Sequence, residues 1–244
     1  MGSFPVTRLS VVEALGERDP ERRREAWDLL LRSYDAPLRS YLSRRWRTTR
    51  EETEDLAQGF LARALESGAF DAFDPAQARF RTFLRLCLDR YVLNEREAAG
   101  RAKRGGGAVH VTIAAGDGLH DGAVEPPAPG ADPEELFHRE WLRAIFGEAL
   151  EELAASAATP ERRLRLALFE RYELGAAAAG EGGERPTYAE LAAELGVPVT
   201  RVTNHLARAR RDLRRLVLER IRRATVSESE FRDEARRALG VEQP

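Results

Sequence analysis

Arginine side chains are the residues of this chain best suited to binding another molecule, and they are concentrated near its C-terminus. Ten arginines lie between Arg185 and Arg223 against four acidic residues, a local net charge of +6, whereas the 244-residue chain has a net charge of −2. Such an asymmetry is typical of a surface that binds the phosphates of nucleic acid. Because Lys103 is the only lysine, arginine is the general basic residue of this chain. An ordinary solvated face is therefore the alternative explanation.

The basic segment also has the pattern of a helix-turn-helix. Thr187 and Glu190 form a capping box that begins a helix. Gly196 ends that helix, and Pro198 begins the next one. The second helix has an apolar stripe at Val202, Leu206, Ala209, Leu213 and Leu216, and its other face carries Thr200, Arg201, Thr203, Asn204, Arg208, Arg210, Arg211, Arg214 and Arg215. This pairing predicts a helix that enters the major groove of DNA.

Residues with the spacing of a catalytic or metal site are missing from the sequence. Cys87 is the only cysteine, so neither an internal disulfide nor a cysteine zinc site can form within one chain. The four histidines are scattered, and no nucleophile, base and orienting residue occur together. We predict a protein that is not an enzyme, needs no cofactor and no metal, and lies in the cytoplasm without a membrane segment.

The N-terminal part of the chain is predicted to be helical. Residues 21–46 form two helices or one kinked helix, because Pro37 interrupts the pattern. A capping box at Thr49 begins a helix that reaches about Glu66, and a long helix is expected from about Pro75 to Ala102. Residues 76–104 have a net charge of +5, so Phe83 and Tyr91 could stack on single-stranded DNA, although we expect most of these rings in the core.

The composition changes between Gly105 and Asp132, which are rich in Gly, Pro and Ala, acidic, and free of Lys and Arg. We predict a flexible linker there, with a lone strand at Val109–Ile113 as a minor alternative. Helices are expected again at 133–153 and 159–174, with a mobile loop at 175–185. A short terminal helix follows Ser227, with Phe231, Ala235 and Leu239 on one stripe.

The predicted fold is all-α, with two small helical domains joined by the flexible acidic linker. Its parts are an N-terminal leader (1–20), a first domain (21–104), the linker (105–132), a second domain with the helix-turn-helix (133–223) and a C-terminal helical tail (224–244).

Five motifs, taken in order, carry a resemblance to a known family. In this chain they are Phe4-Pro5-Val6-Thr7-Arg8, Glu52-Thr53-Glu54-Asp55-Leu56-Ala57-Gln58-Gly59-Phe60, Arg79-Phe80-Arg81-Thr82-Phe83-Leu84, Asn94-Glu95-Arg96 with Lys103-Arg104-Gly105-Gly106-Gly107, and Tyr188-Ala189-Glu190-Leu191-Ala192 with Gly196-Val197 and Val202 to Arg210. They resemble F-P-x-T-R, D-A-E-D-L-x-Q-E-x-F, R-F-R-S/T-W/F-L, N-E-R with K-R-G-G-G, and Y-x-E-I-A-x-x-L-G-V with V-K-S-R-L-x-R-A-R. These motifs belong to bacterial RNA polymerase sigma factors of the extracytoplasmic-function (ECF) type, in the sigma-70 family.

The resemblance implies an alternative sigma factor that directs promoter recognition and transcription initiation by core RNA polymerase. The first domain matches sigma region 2, where Asp55, Leu56 and Gln58 would dock on the clamp coiled coil of the largest subunit. The −10 element would be held by Arg90, Asn94, Arg96, Lys103 and Arg104. The second domain matches region 4, which would meet the polymerase flap and read the −35 element through Thr200, Arg201, Thr203, Asn204, Arg208 and Arg211. The sequence leaves open whether an anti-sigma protein restrains it.

Two departures from the family pattern bear on this function. Gly59 stands where the family has a carboxylate, so we expect a weaker or a differently shaped polymerase contact. Thr203-Asn204-His205 replaces K-S-R on the recognition helix, so the DNA sequence read should differ. Asn204 could pair with an adenine edge; a phosphate contact or simple exposure to solvent is the alternative. A free-standing helix-turn-helix regulator is the alternative function, and a helical adaptor without nucleic acid is a further one.

Overall fold

A computed structural model of the chain describes residues 20–74, 77–103, 132–175 and 185–240. The secondary structure of these ranges is helical and contains no strand, which confirms the predicted all-α class for this part of the chain. The helices are α1 (Pro20–Trp46), α2 (Arg50–Ser67), α3 (Phe80–Lys103), α4 (Pro133–Ala155), α5 (Pro160–Phe169), α6 (Tyr188–Leu195), α7 (Val199–Ala224) and α8 (Glu228–Leu239). The predicted linker, except Asp132, and the strand at 109–113 lie outside the described residues.

Helix α1 continues through Pro37 as a single helix. Pro37 and its neighbour Leu38 are buried, and the stripe continues through Tyr34 and Tyr41. The free energy gained by burying this apolar stripe offsets the cost of the hydrogen bond that a proline removes from a helix interior.

Helix α3 begins at Phe80, five residues later than predicted. The preceding residues form a turn on Asp74, whose carbonyl accepts hydrogen bonds from the backbone nitrogens of Gln77 at 3.1 Å and Ala78 at 3.3 Å. Phe80 packs edge-on against Phe73 at 5.2 Å between ring centroids. The aromatic contact and the Asp74 turn together fix where the helix starts.

The described helices belong to two compact units. The first contains residues up to Ala144 together with those from Ile221 onward, and the second is Ile145–Arg220. The structure therefore assigns residues 133–144 and 221–240 to the first unit, whereas the sequence pattern had separated them from the first domain. Phe137 packs edge-on against Tyr41 at 5.2 Å, and the Tyr34 hydroxyl donates to the Ala224 carbonyl at 2.7 Å. Sequence spacing contains no signal for contacts over such separations.

The second unit is built on the face of α7 that bears Val202, Leu206 and Ala209, all fully buried. Helix α5 is extended by a π-helical turn, Glu170–Leu174, inside the segment predicted as one helix. Leu168 and Phe169 are the buried residues of α5. Among the described helices, none is long and apolar enough to cross a membrane.

Glu140 is a buried carboxylate of the first unit that is held by several donors. The Ser40 hydroxyl lies 2.5 Å from one carboxylate oxygen, Arg143 lies 2.6 Å from the other, and Arg44 approaches at 3.2 Å. Burial alone would raise the pKa of Glu140, but the hydrogen bonds from Ser40 and Arg143 outweigh it and the pKa is lowered. The ionised form is therefore favoured by folding.

We expect Glu140→Gln to lower the melting temperature at pH 7 and to have less effect in acid. A carboxylate whose folded pKa is depressed contributes stability above its unfolded pKa, about 4.3, and loses that contribution as the pH falls through the folded value. Thermal melts of both proteins between pH 3 and 7 measure this convergence. Glu151→Gln, at an exposed position of the same helix, is the control. An equal difference in melting temperature at all pH values would contradict a lowered pKa of Glu140 in the folded state.

Candidate nucleic-acid interface

The helix-turn-helix pair is formed by α6 and α7. The Thr187 nitrogen donates to the Glu190 carboxylate at 2.7 Å, and the Glu190 nitrogen donates to the Thr187 hydroxyl at 3.2 Å, which completes the predicted capping box. Gly196 ends α6 with a φ of 62°, a left-handed conformation that glycine adopts without steric cost. Helix α7 begins at Val199.

Helix α7 separates its residues into a packing face and an exposed face. Val202, Leu206, Ala209 and Leu216 are buried as predicted, while Leu213 is half-buried. The six residues proposed to read DNA are all exposed: Thr200, Arg201, Thr203, Asn204, Arg208 and Arg211. Residues three, four and seven apart share a helix face, so these side chains form one surface. We call them the recognition face.

His205 belongs to the packing face, so the Thr203-Asn204-His205 triplet does not act as a unit. Its ring is 3% exposed, and burial lowers its pKa, assisted by the nearby Arg165 and Arg201. The resemblance led us to expect that the triplet containing this position alters the DNA sequence that is read. Its helical phase, between Val202 and Leu206, turns it inward instead.

The arginines of α7 differ in their ion pairs and ring contacts with other side chains. Arg210 donates to Glu173 at 2.7 Å and lies 5.5 Å from the ring centre of Tyr172. Arg208 forms a long ion pair, 3.8 Å, with Glu161. Within the described ranges, Arg201 and Arg211 form no ion pair, so their guanidinium groups can bind phosphate without losing an internal partner. Tyr172 and Glu173 lie 37 or more residues from Arg210, and no spacing rule could have identified them.

Among the candidate −10 residues, Arg90 lies near the middle of α3, and Asn94, Arg96 and Lys103 lie in its second half. Arg90 and Asn94 are half-buried and Arg96 is exposed. Arg96 donates to the Trp46 carbonyl at 2.7 Å and stacks over the Trp46 ring at 4.9 Å. It therefore holds the end of α1 as well as facing solvent, a role that the sequence did not indicate. The side chain of Lys103 and the whole of Arg104 lie outside the part of the chain that is described.

The candidate polymerase-docking residues lie on α2. Asp55 and Gln58 are exposed and Leu56 is half-buried, while Ala57 and Phe60 on the opposite side are buried. The Tyr91 hydroxyl lies against Gly59 and occupies the space where a β-carbon of residue 59 would be. A side chain at position 59 would therefore require the Tyr91 ring to shift.

Gly59→Ala should have opposite effects on stability in two backgrounds. In the native chain the new β-carbon meets the Tyr91 hydroxyl, and overpacking costs about 1–3 kcal/mol. In Tyr91→Phe the nearest ring carbon is 3.5 Å away, an ordinary contact, so alanine should stabilise by up to about 1 kcal/mol through helix propensity. Urea unfolding of the four proteins measures both changes. The same sign in both backgrounds would disprove the steric explanation.

Comparisons of the sequence with protein-family models and with curated proteins found no match. Among the described residues, no group of three or more His, Cys, Asp or Glu side chains could hold a metal ion.

Proposed function

We propose that this protein is an alternative sigma factor that binds core RNA polymerase and directs it to promoters. The observation that carries the proposal is the recognition face of α7, which presents arginines together with an exposed amide and follows a glycine turn. The order of the five motifs connects this face with the exposed Asp55 and Gln58 of α2.

The chemistry of the recognition face suits a major groove. Arg201, Arg208 and Arg211 are exposed and can neutralise phosphates, while Asn204 has the donor and acceptor pair that matches an adenine edge. The Thr203 hydroxyl already donates to the Val199 carbonyl at 3.1 Å. Phosphate contacts would position the helix, and Asn204 would supply much of the sequence preference.

Run-off transcription tests the proposal directly. Bacterial core RNA polymerase is mixed with the full chain and a library of promoter fragments, and discrete transcripts are sought. We expect promoter-dependent transcripts and co-elution of the protein with core. The absence of both results would exclude a sigma factor. Tight binding to two-fold symmetric duplexes without core would instead favour a free-standing regulator.

The docking surface can be tested with a matched pair of variants. Asp55→Ala combined with Gln58→Ala should weaken core binding roughly tenfold or more, because a few central residues carry most of the energy of an interface. Glu66→Ala, at an exposed position near the end of the same helix, should leave binding unchanged. Equal binding by both variants would place the polymerase contact elsewhere.

A further inference from the structure

Helix α8 is attached to the first unit largely through charged side chains. Glu234 is 1% exposed and lies 2.8 Å from Arg81, which is itself 2% exposed. Arg79 reaches the same carboxylate at 3.4 Å and Asp233 at 3.2 Å. The buried apolar residues of α8 are Phe231 and Ala235. Two acids of the last helix therefore neutralise both arginines of the Arg79-Phe80-Arg81 motif.

Several buried polar atoms at this charged contact have no hydrogen-bond partner among the described residues. Two nitrogens of Arg81, Nδ1 of His138, Nε1 of Trp141 and one oxygen of Glu234 are buried without a hydrogen-bond partner among the described residues. His138 Nδ1 and Glu234 Oε2 are 3.5 Å apart, and Arg81 lies 3.6 Å from Glu134, both too long for good hydrogen bonds. Buried polar groups without partners oppose the docked state, and they would recover hydration if α8 left.

The caps of α8 lie within residues 226–240 and would be kept if the helix detached. The Ser227 hydroxyl accepts from the Glu230 nitrogen at 3.1 Å, and the Glu230 carboxylate accepts from the Val226 nitrogen at 2.9 Å. At the other end, the Gly240 nitrogen donates to the Arg236 carbonyl at 2.9 Å. Only residues 225–227 separate α8 from α7. The helix is thus a self-capped element on a short connection.

We propose that Arg79 and Arg81 form a binding site for nucleic-acid phosphate that α8 masks in the free chain. Glu234 and Asp233 take the place of phosphate groups, and a DNA strand competes with them for the two guanidinium groups. The site lies at the start of α3, nine or more residues before Arg90, the first of the candidate −10 residues. It extends the proposed function by a further DNA contact, and it does not require polymerase.

Hydrogen exchange and DNA binding by the full chain test the masked site. We expect residues 228–239 to exchange faster when the wild-type chain is saturated with oligothymidine, because the strand displaces α8. Glu234→Gln should bind oligothymidine more tightly than wild type. The slope of log affinity against log salt concentration should also steepen by about 0.7 for each additional phosphate that the protein neutralises. Adding Arg79→Gln to this variant should reverse part of the increase in affinity.

Glu228→Gln is the matched control, since Glu228 is an exposed acid on the same helix. Wild-type binding that leaves the exchange of α8 unchanged would overturn the proposal, as would equal affinity and salt dependence of Glu234→Gln and wild type. If Glu234→Gln fails to fold, the exchange experiment on the wild-type chain decides alone. Loss of run-off transcription with a positive result here would reject the sigma factor and keep the masked site.

Discussion

Asn204→Ala is expected to reduce promoter binding by the polymerase complex about 5- to 150-fold and to relax the preference at one base pair. The side chain is exposed on the recognition face and forms no hydrogen bond with any described residue. A bidentate amide contact with adenine is worth about 1–3 kcal/mol of discrimination. Gel shifts of the complex on promoter duplexes, each with one base pair replaced, measure both the loss and the position that ceases to matter.

Two arginine variants separate base reading from phosphate binding. Arg211→Ala should weaken binding to all sequences alike and reduce the salt slope by about 1, because a phosphate contact contains no sequence information. Arg215→Ala should have little effect, since Arg215 is paired with Glu219 at 2.8 Å on the same helix. If Asn204→Ala behaves like Arg211→Ala, with no change in preference, then Asn204 contacts the backbone and the base reader is another residue.

Asp89→Ala is expected to destabilise the first unit by about 2–4 kcal/mol. Its carboxylate accepts hydrogen bonds from the Tyr41 hydroxyl at 3.0 Å, the Trp46 indole at 2.9 Å and Arg85 at 2.8 Å. Tyr41 and Trp46 are 0% and 2% exposed, so alanine leaves their polar atoms buried without a partner. Urea unfolding gives the free-energy change.

Two further aspartate variants control for this effect. Asp89→Asn should cost less than alanine, because an acceptor remains and because burial raises the pKa of Asp89, which shows that its charge is costly in the folded state. Asp35→Ala should cost less than about 0.5 kcal/mol, since the partner of Asp35 among the described residues is Arg39, four positions along the same helix, and the pair is partly exposed. Equal losses for Asp89 and Asp35 would show that the Asp89 cluster adds no stability.

Local patterns predicted much of the fold. The capping boxes at Thr49 and Thr187 and the glycine stop at Gly196 are present, because each depends on a few neighbouring residues. The apolar stripe of α7 was predicted for the same reason, since its period alone decides which side is buried. The start of α3 differs from the predicted one because an aspartate turn and an aromatic cluster decide where the helix begins.

Contacts between distant segments were not predicted. Nothing in the spacing of Arg96 indicates Trp46 fifty residues earlier, and nothing in the Arg79-Phe80-Arg81 motif indicates carboxylates from residues 233 and 234. His205 is buried because its helical phase turns it toward the packing face, which the motif by itself does not indicate. The candidate residues of α7 follow from its helical pattern and charge, and those of α2 follow from the resemblance. The roles of both sets in binding stay predictions.

The discontinuity of the first unit has a consequence for synthesis on the ribosome. The second unit is one uninterrupted segment, residues 145–220, whereas the first requires residues on both sides of it. Domains generally fold as units while the chain is made, the earlier one first. Here the order of folding is reversed. The second unit can complete its fold before Ala224 and Glu234, the partners of Tyr34 and Arg81, have left the exit tunnel. Residues translated after the second unit thus complete the part of the protein that was begun before it.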